Sequence, residues 1–116
     1  MGKSPIAVRG ITPEEHAVMF RAVQVGGIEG ADIPSLDDLH SLQVVGRCEC
    51  GCDSLDFRHL RPGQIPSLVA DATGETLTGE CVGILVFAYE GQFTGLEIVS
   101  YSDGPAPLPV LSTIRA

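Results

Sequence analysis

The chain has no tryptophan, and only 5% of its residues are aromatic. Its core must therefore be aliphatic, assembled from Val, Leu, Ile and Ala. Positive charge is also scarce. Seven Lys and Arg face fifteen Asp and Glu, giving a formal net charge of −8. Such a surface repels phosphate backbones and anionic headgroups, so neither nucleic acid nor a membrane is an expected partner. The basic residues are scattered. Only Arg58 and Arg61 lie close together, and Asp53 and Asp56 sit beside them. No apolar run reaches the roughly 18 residues of a spanning helix. Met1–Gly10 lacks the apolar core of an export signal. Ile6 stands where myristoylation of Gly2 would want Ser or Thr. The expectation is a cytoplasmic protein whose four cysteines are thiols or metal ligands, not disulfides.

What is present suits one globular domain over residues 1–116. Hydrophobic residues make up 44% and charged residues 19%, which separates the chain from disordered compositions. Residues 1–11 read as a leader or an edge strand. Thr12-Pro13-Glu14-Glu15 is a helix start: Thr12 caps, Pro13 fits the first helical position and Glu15 completes a capping box. The helix is expected to reach about Val25, with Met19, Phe20, Ala22 and Val23 on its buried face and Gly26-Gly27 as its stop. Ser35 to Leu42 predicts one or two further helical turns.

Beyond residue 42 the apolar period becomes two. Strands are expected over 42–50, 54–60, 65–72, 80–89 and 93–101. Pro66 argues for an edge or strand-start position. The nearly continuous apolar run Val82 to Phe87 argues for a strand covered on both faces. Glu90-Gly91 is a two-residue hairpin signal, Ser102-Asp103-Gly104 ends the last strand, and 105–116 is a proline-punctuated tail. Helices followed by a run of strands predict an α+β fold, with N-terminal helices on one face of a roughly five-stranded, mainly antiparallel sheet. The two edges of such a sheet make a homodimer plausible.

The strongest chemical signal is Arg47-Cys48-Glu49-Cys50-Gly51-Cys52. Cys81 could add a fourth sulfur, and His59 a nitrogen, to a tetrahedral zinc site formed by Cys48, Cys50, Cys52 and Cys81. The spacing weighs against it. On a straight strand, alternate side chains stand roughly 6.5–7 Å apart, whereas thiolates sharing one zinc approach within about 4 Å. Only a bend at Gly51 would bring Cys50 and Cys52 together. The plainer expectation is small buried apolar side chains beside a tight turn. Glu49 and Asp53 would raise a thiol pKa, which disfavours a nucleophilic cysteine. None of His16, His40 and His59 has a local signature pairing it with one. Glu97, inside Leu96-Glu97-Ile98-Val99, is expected on a solvated face shared with Phe93, Val99 and Tyr101, or paired with Arg47 or Arg58.

The stretch Glu90-Gly91-Gln92-Phe93-Thr94-Gly95-Leu96-Glu97-Ile98-Val99-Ser100-Tyr101-Ser102-Asp103-Gly104, followed by Leu108-Pro109, resembles a family of uncharacterised small bacterial domains. In these an apolar strand, a glycine turn and a Leu-Glu-Ile/Val strand precede a proline tail. Cys50-Gly51-Cys52-Asp53-Ser54 is similar to a feature of the same proteins. Some of them are cytosolic immunity proteins that neutralise partner toxins. The resemblance spans about half the chain and implies a protein-interaction or regulatory module, with no catalytic residues to carry over. Charge and resemblance together favour an immunity-like module that meets a basic protein partner. The alternatives are a metal- or thiol-dependent protein using Cys48, Cys50 and Cys52, and a small-molecule enzyme with its site between helix and sheet.

Overall fold

The computed structural model describes residues 4–102 and 104–116. Residues 1–3 of the expected leader or edge strand, and Asp103 of the expected turn, lie outside the described residues. The fold is α+β, with a helix packed on one face of an antiparallel sheet. In chain order the elements are β1 (Ser4–Gly10), α1 (Pro13–Gly26), a short 3-10 helix (Leu36–Ser41), β2 (Gln43–Arg47), β3 (Leu55–Asp56), β4 (Ser67–Glu75), β5 (Cys81–Tyr89), β6 (Gln92–Ser100) and a 3-10 turn (Leu111–Thr113). Among the described residues the sheet has six strands in the order β1-β2-β3-β6-β5-β4, every neighbouring pair antiparallel. The sixth strand is β1, the edge-strand reading of residues 1–11.

The start of α1 follows from its first four letters. The Thr12 hydroxyl accepts the Glu15 N–H at 3.1 Å, and the Glu15 carboxylate accepts the Thr12 N–H at 2.9 Å. That reciprocal pair satisfies two donors the first turn leaves open. Arg9, arriving on β1, forks onto the same carboxylate at 2.9 and 2.8 Å. The helix buries Val18, Met19, Ala22 and Val23 against β4 and β5. Phe20, expected inside, is 39% exposed and stacks on His16 one turn earlier. It lies 100° round the helix from Met19, beyond the stripe that faces the sheet.

Val82, Ile84, Val86 and Ala88 alternate along β5 toward α1 and meet Phe93, Leu96 and Ile98 of β6. The space between helix and sheet is filled by these side chains. Leu85 and Phe87, on the other face of β5, are only half buried. The expectation of cover on both faces therefore holds for one face.

β3 is shorter than the expected 54–60 strand. After Asp56, the Phe57 N–H bonds the Thr94 carbonyl at 2.9 Å and the chain leaves the sheet. At the other end of β3, the Ser54 hydroxyl extends the same ladder with β6 by accepting the Ile98 N–H at 2.9 Å. The proline-punctuated tail is part of the fold. Thr73 and Arg115 exchange backbone bonds along the outer edge of β4, and Ile114 is buried in the core. Pro109 lies so close to Gly74 that a Cβ there would be 2.8 Å from the proline. Among the described residues, no helix is long and apolar enough to cross a membrane.

Candidate metal centre

The cysteine loop joins β2 to β3. The strand expected over 42–50 stops at Arg47, and the chain turns: the Gly51 N–H reaches back to the Cys48 carbonyl at 3.4 Å, and Gly51 takes a φ of +92°. A residue with a Cβ is strained at that φ, so glycine permits the turn. The bend does what an extended strand cannot. The sulfurs of Cys48, Cys50 and Cys52 all lie within 4.8 Å of one another. The expected 6.5–7 Å separation is overturned because alternate side chains diverge only on a straight strand. The picture of buried apolar cysteines is corrected as well. Cys48 and Cys52 are half buried and Cys50 is exposed.

Cys48 and Cys50 are joined as a disulfide, with Cα atoms 5.3 Å apart, and Cys52 is a free thiol. The expectation that all four cysteines are thiols or metal ligands fails for this pair. The turn places the two Cα atoms inside the 4.4–6.8 Å range that bridged cysteines need. Disulfide and metal site are alternative uses of one group of sulfurs, and the metal-binding form is the reduced one.

The loop is anchored to the C-terminal segment. The Ala106 N–H donates to the Cys52 sulfur at 3.3 Å, and the Cys52 N–H donates to the Cys50 sulfur at 3.4 Å. Asp53 fixes the far side. Its carboxylate accepts from Arg47 at 3.0 Å and from the Leu108 N–H at 2.9 Å, and its own N–H donates to the Ala106 carbonyl at 2.9 Å. A Cβ on Gly51 would lie 3.3 Å from Pro105, so the tail lies directly against the loop.

The Cys48/Cys50/Cys52 cluster can therefore coordinate a metal ion. Cys81 begins β5 as an exposed free thiol, and neither it nor His59 belongs to the group. Of the arginines expected near Glu97, Arg47 bonds Asp53 and Arg58 donates to Gln92 at 2.8 Å. Sequence reasoning missed the contribution of the tail. Ala106 and Leu108 act through backbone N–H groups, which have no signature in residue type. Comparison of the chain with family models, with curated proteins and with solved structures finds no match.

Proposed function

We propose that the protein binds a thiophilic metal ion, zinc in the first place, through the thiolates of Cys48, Cys50 and Cys52. The observation that carries this reading is the convergence of three sulfurs within 4.8 Å on one loop, two of them met by backbone N–H groups, one from the loop and one from the C-terminal segment. Thiolates select zinc, copper(I) and iron–sulfur clusters over hard cations. Zinc holds its sulfurs at about 2.3 Å, so two on one ion stand about 3.8 Å apart. Reduction frees the Cys48 and Cys50 sulfurs to part to that spacing, with Cys52 already within 4.8 Å of both. Three protein ligands leave the fourth position of a tetrahedral ion to solvent or to an incoming ligand, as in exchangeable and catalytic sites. Oxidation of Cys48 and Cys50 to the disulfide removes two of the three ligands. The loaded state thus belongs to a reducing compartment such as the cytoplasm.

The test is zinc competition against a chromophoric chelator, with the protein held reduced and anaerobic. One zinc per chain is expected, lost in Cys48→Ser, Cys50→Ser and Cys52→Ser and kept in Cys81→Ser. Zinc uptake unchanged in the three loop variants, or abolished in Cys81→Ser, would sink the reading.

A second reading is the acidic, immunity-like interaction module. Its support is the net charge of −8 and the position of β1 at the end of the sheet order, where strand addition by a basic partner or a second copy has room. A pull-down at low salt that recovers no protein, together with a monomeric mass by light scattering, would remove it.

A further inference from the structure

In its oxidised form the cysteine loop pairs a closed bridge with a free thiol. Cys48 and Cys50 are joined, and Cys52 stands unbridged beside them. All three sulfurs lie within 4.8 Å of one another. A thiol held beside a disulfide has the parts of an exchange reaction, in which the thiolate attacks one sulfur of the bridge and expels the other. With both reactants on one short loop the step is intramolecular and does not wait on an encounter.

Cys52 is kept in place by the C-terminal segment. Its sulfur accepts the Ala106 N–H at 3.3 Å, and the Asp53 N–H, one residue on, donates to the Ala106 carbonyl at 2.9 Å. Its own N–H reaches the Cys50 sulfur at 3.4 Å, so the chain folds back onto the bridge directly after Gly51. The acidic neighbours expected to discourage a nucleophile are engaged or screened. Asp53 directs one carboxylate oxygen to Arg47 at 3.0 Å and the other to the Leu108 N–H at 2.9 Å. Glu49 is exposed, where solvent and salt screen its charge.

The three sulfurs differ in exposure, and that difference gives the exchange a direction. Cys48 and Cys52 are half buried, and Cys50 is exposed. Attack on the Cys48 sulfur forms a Cys48–Cys52 bond, breaks the Cys48–Cys50 bond and expels Cys50 into solvent, where water hydrates its charge and returns a proton. Attack on the Cys50 sulfur would instead release Cys48, a thiol no more accessible than the one consumed. In the favoured direction one S–S bond forms for the one that breaks. The proton that Cys52 gives to water is regained at Cys50, and neither oxidant nor reductant is consumed.

We propose that the Cys48/Cys50/Cys52 loop is a thiol–disulfide exchange site, in which Cys52 moves the bridge onto Cys48 and frees Cys50 as the thiol that meets outside disulfides. The substrate class is an accessible disulfide, R–S–S–R. The Cys50 thiolate attacks one of its sulfurs, a Cys50–S–S–R bond forms, and the other R–S⁻ leaves and takes a proton from water. Zinc takes the reduced chain with three thiols, whereas this exchange takes the chain with two of its sulfurs bridged. The inference therefore goes beyond the metal reading, and either one stands or fails without the other.

The experiment starts from the full oxidised chain in EDTA, without reductant, and traps its free thiols with iodoacetamide. After an acid quench and removal of the reagent, the remaining bridge is reduced and its sulfurs are capped with N-ethylmaleimide. Trypsin cuts after Arg47 and Arg58, so the three loop cysteines share one peptide that excludes Cys81. Tandem mass spectrometry of that peptide reads which sulfur was free. Cys50 is expected to carry most of the iodoacetamide label, with the maleimide on Cys48 and Cys52. Cys52→Ser should abolish the label on Cys50. Glutathione disulfide in place of iodoacetamide should leave its glutathionyl group on Cys50, read from acid-quenched peptides. Iodoacetamide confined to Cys52 or falling mainly on Cys48, a Cys50 label undiminished in Cys52→Ser, or glutathione on Cys52 alone would each overturn the proposal. The distribution on the wild-type chain decides the matter even where Cys52→Ser fails to fold. A chain that binds zinc when reduced, yet keeps its label on Cys52 when oxidised, would remove this inference and leave the metal reading intact.

Discussion

Replacing Asp53 by alanine tests whether the C-terminal segment organises the cysteine loop. The carboxylate makes two bonds, to Arg47 at 3.0 Å and to the Leu108 N–H at 2.9 Å. The ion pair is worth at most about 0.5 kcal/mol, because its side chains are 41% and 35% exposed and solvent screens them. The bond to Leu108 is charge-assisted and partly buried, worth about 1–1.5 kcal/mol. Together they hold the tail against the loop by about 1–2 kcal/mol. The same tail presents the Ala106 N–H to the Cys52 sulfur at 3.3 Å. Without Asp53, ordering that contact falls to the metal, so the affinity lost cannot exceed the organisation lost. A loss of 1–2 kcal/mol corresponds to about 5- to 30-fold in affinity. The expected result is a zinc affinity 5- to 30-fold below wild type by chelator competition under reductant, one-to-one stoichiometry, and a modest fall in the urea midpoint. Unchanged zinc affinity in a destabilised Asp53→Ala protein would refute the link between tail and loop. Complete loss, as for a ligand, would refute the assignment of Asp53 as a positioning residue.

Gly26→Ala sets helix propensity against packing. Alanine gains about 1 kcal/mol within a helix, but its Cβ would sit 2.4 Å from the Asp71 carbonyl oxygen on β4, at least 0.6 Å inside the 3.0 Å limit for real Cβ atoms. The clash is with backbone, so α1 must lift, and a net loss of about 1–3 kcal/mol is expected in chemical denaturation; Gly10→Ala, with nothing within 4 Å, should stay within about 0.5 kcal/mol, and equal stability of the two variants would contradict the packing. Glu15 is also pushed upward by burial, but the bond from Arg9 and those with Thr12 outweigh this and leave its pKa below the ordinary 4.5. A depressed acid stabilises the fold above its unfolded pKa and loses that contribution as pH falls through the folded value. Glu15→Gln keeps a capping acceptor and removes the charge, so wild type should exceed it by about 1 kcal/mol at neutral pH, discounted for the exposure of Arg9. The difference should shrink as pH falls below about 4.5, and a gap constant down to pH 2 would disprove the ion-pair account.

The features legible in the sequence are those fixed within four or five residues. Thr12-Pro13-Glu14-Glu15 specifies a capping box wherever it lies, and the box is there. Glu90-Gly91 specifies a tight hairpin because both residues take positive φ, 49° and 78°. The cysteine cluster was legible in its residues but not in its shape. Alternate cysteines suit a strand and a turn equally, and only the φ of Gly51 separates them. What escaped the sequence depends on chain segments far apart. Period-two reading placed Phe93 on the face of Glu97, Val99 and Tyr101. The one-residue bulge at Thr94 moves Phe93 to the opposite face, where it is 2% exposed. The strand was expected to continue to Leu60, but the Phe57 bond to the carbonyl of that same Thr94 marks where the chain departs from the sheet. One inserted residue therefore accounts for both differences. A bulge changes which residues oppose each other across strands without changing the composition of either strand. Its trace in the sequence is the spacing of Phe93 and Leu96, three apart in a strand whose other core residues are two apart. That spacing is what a reader of similar chains would look for.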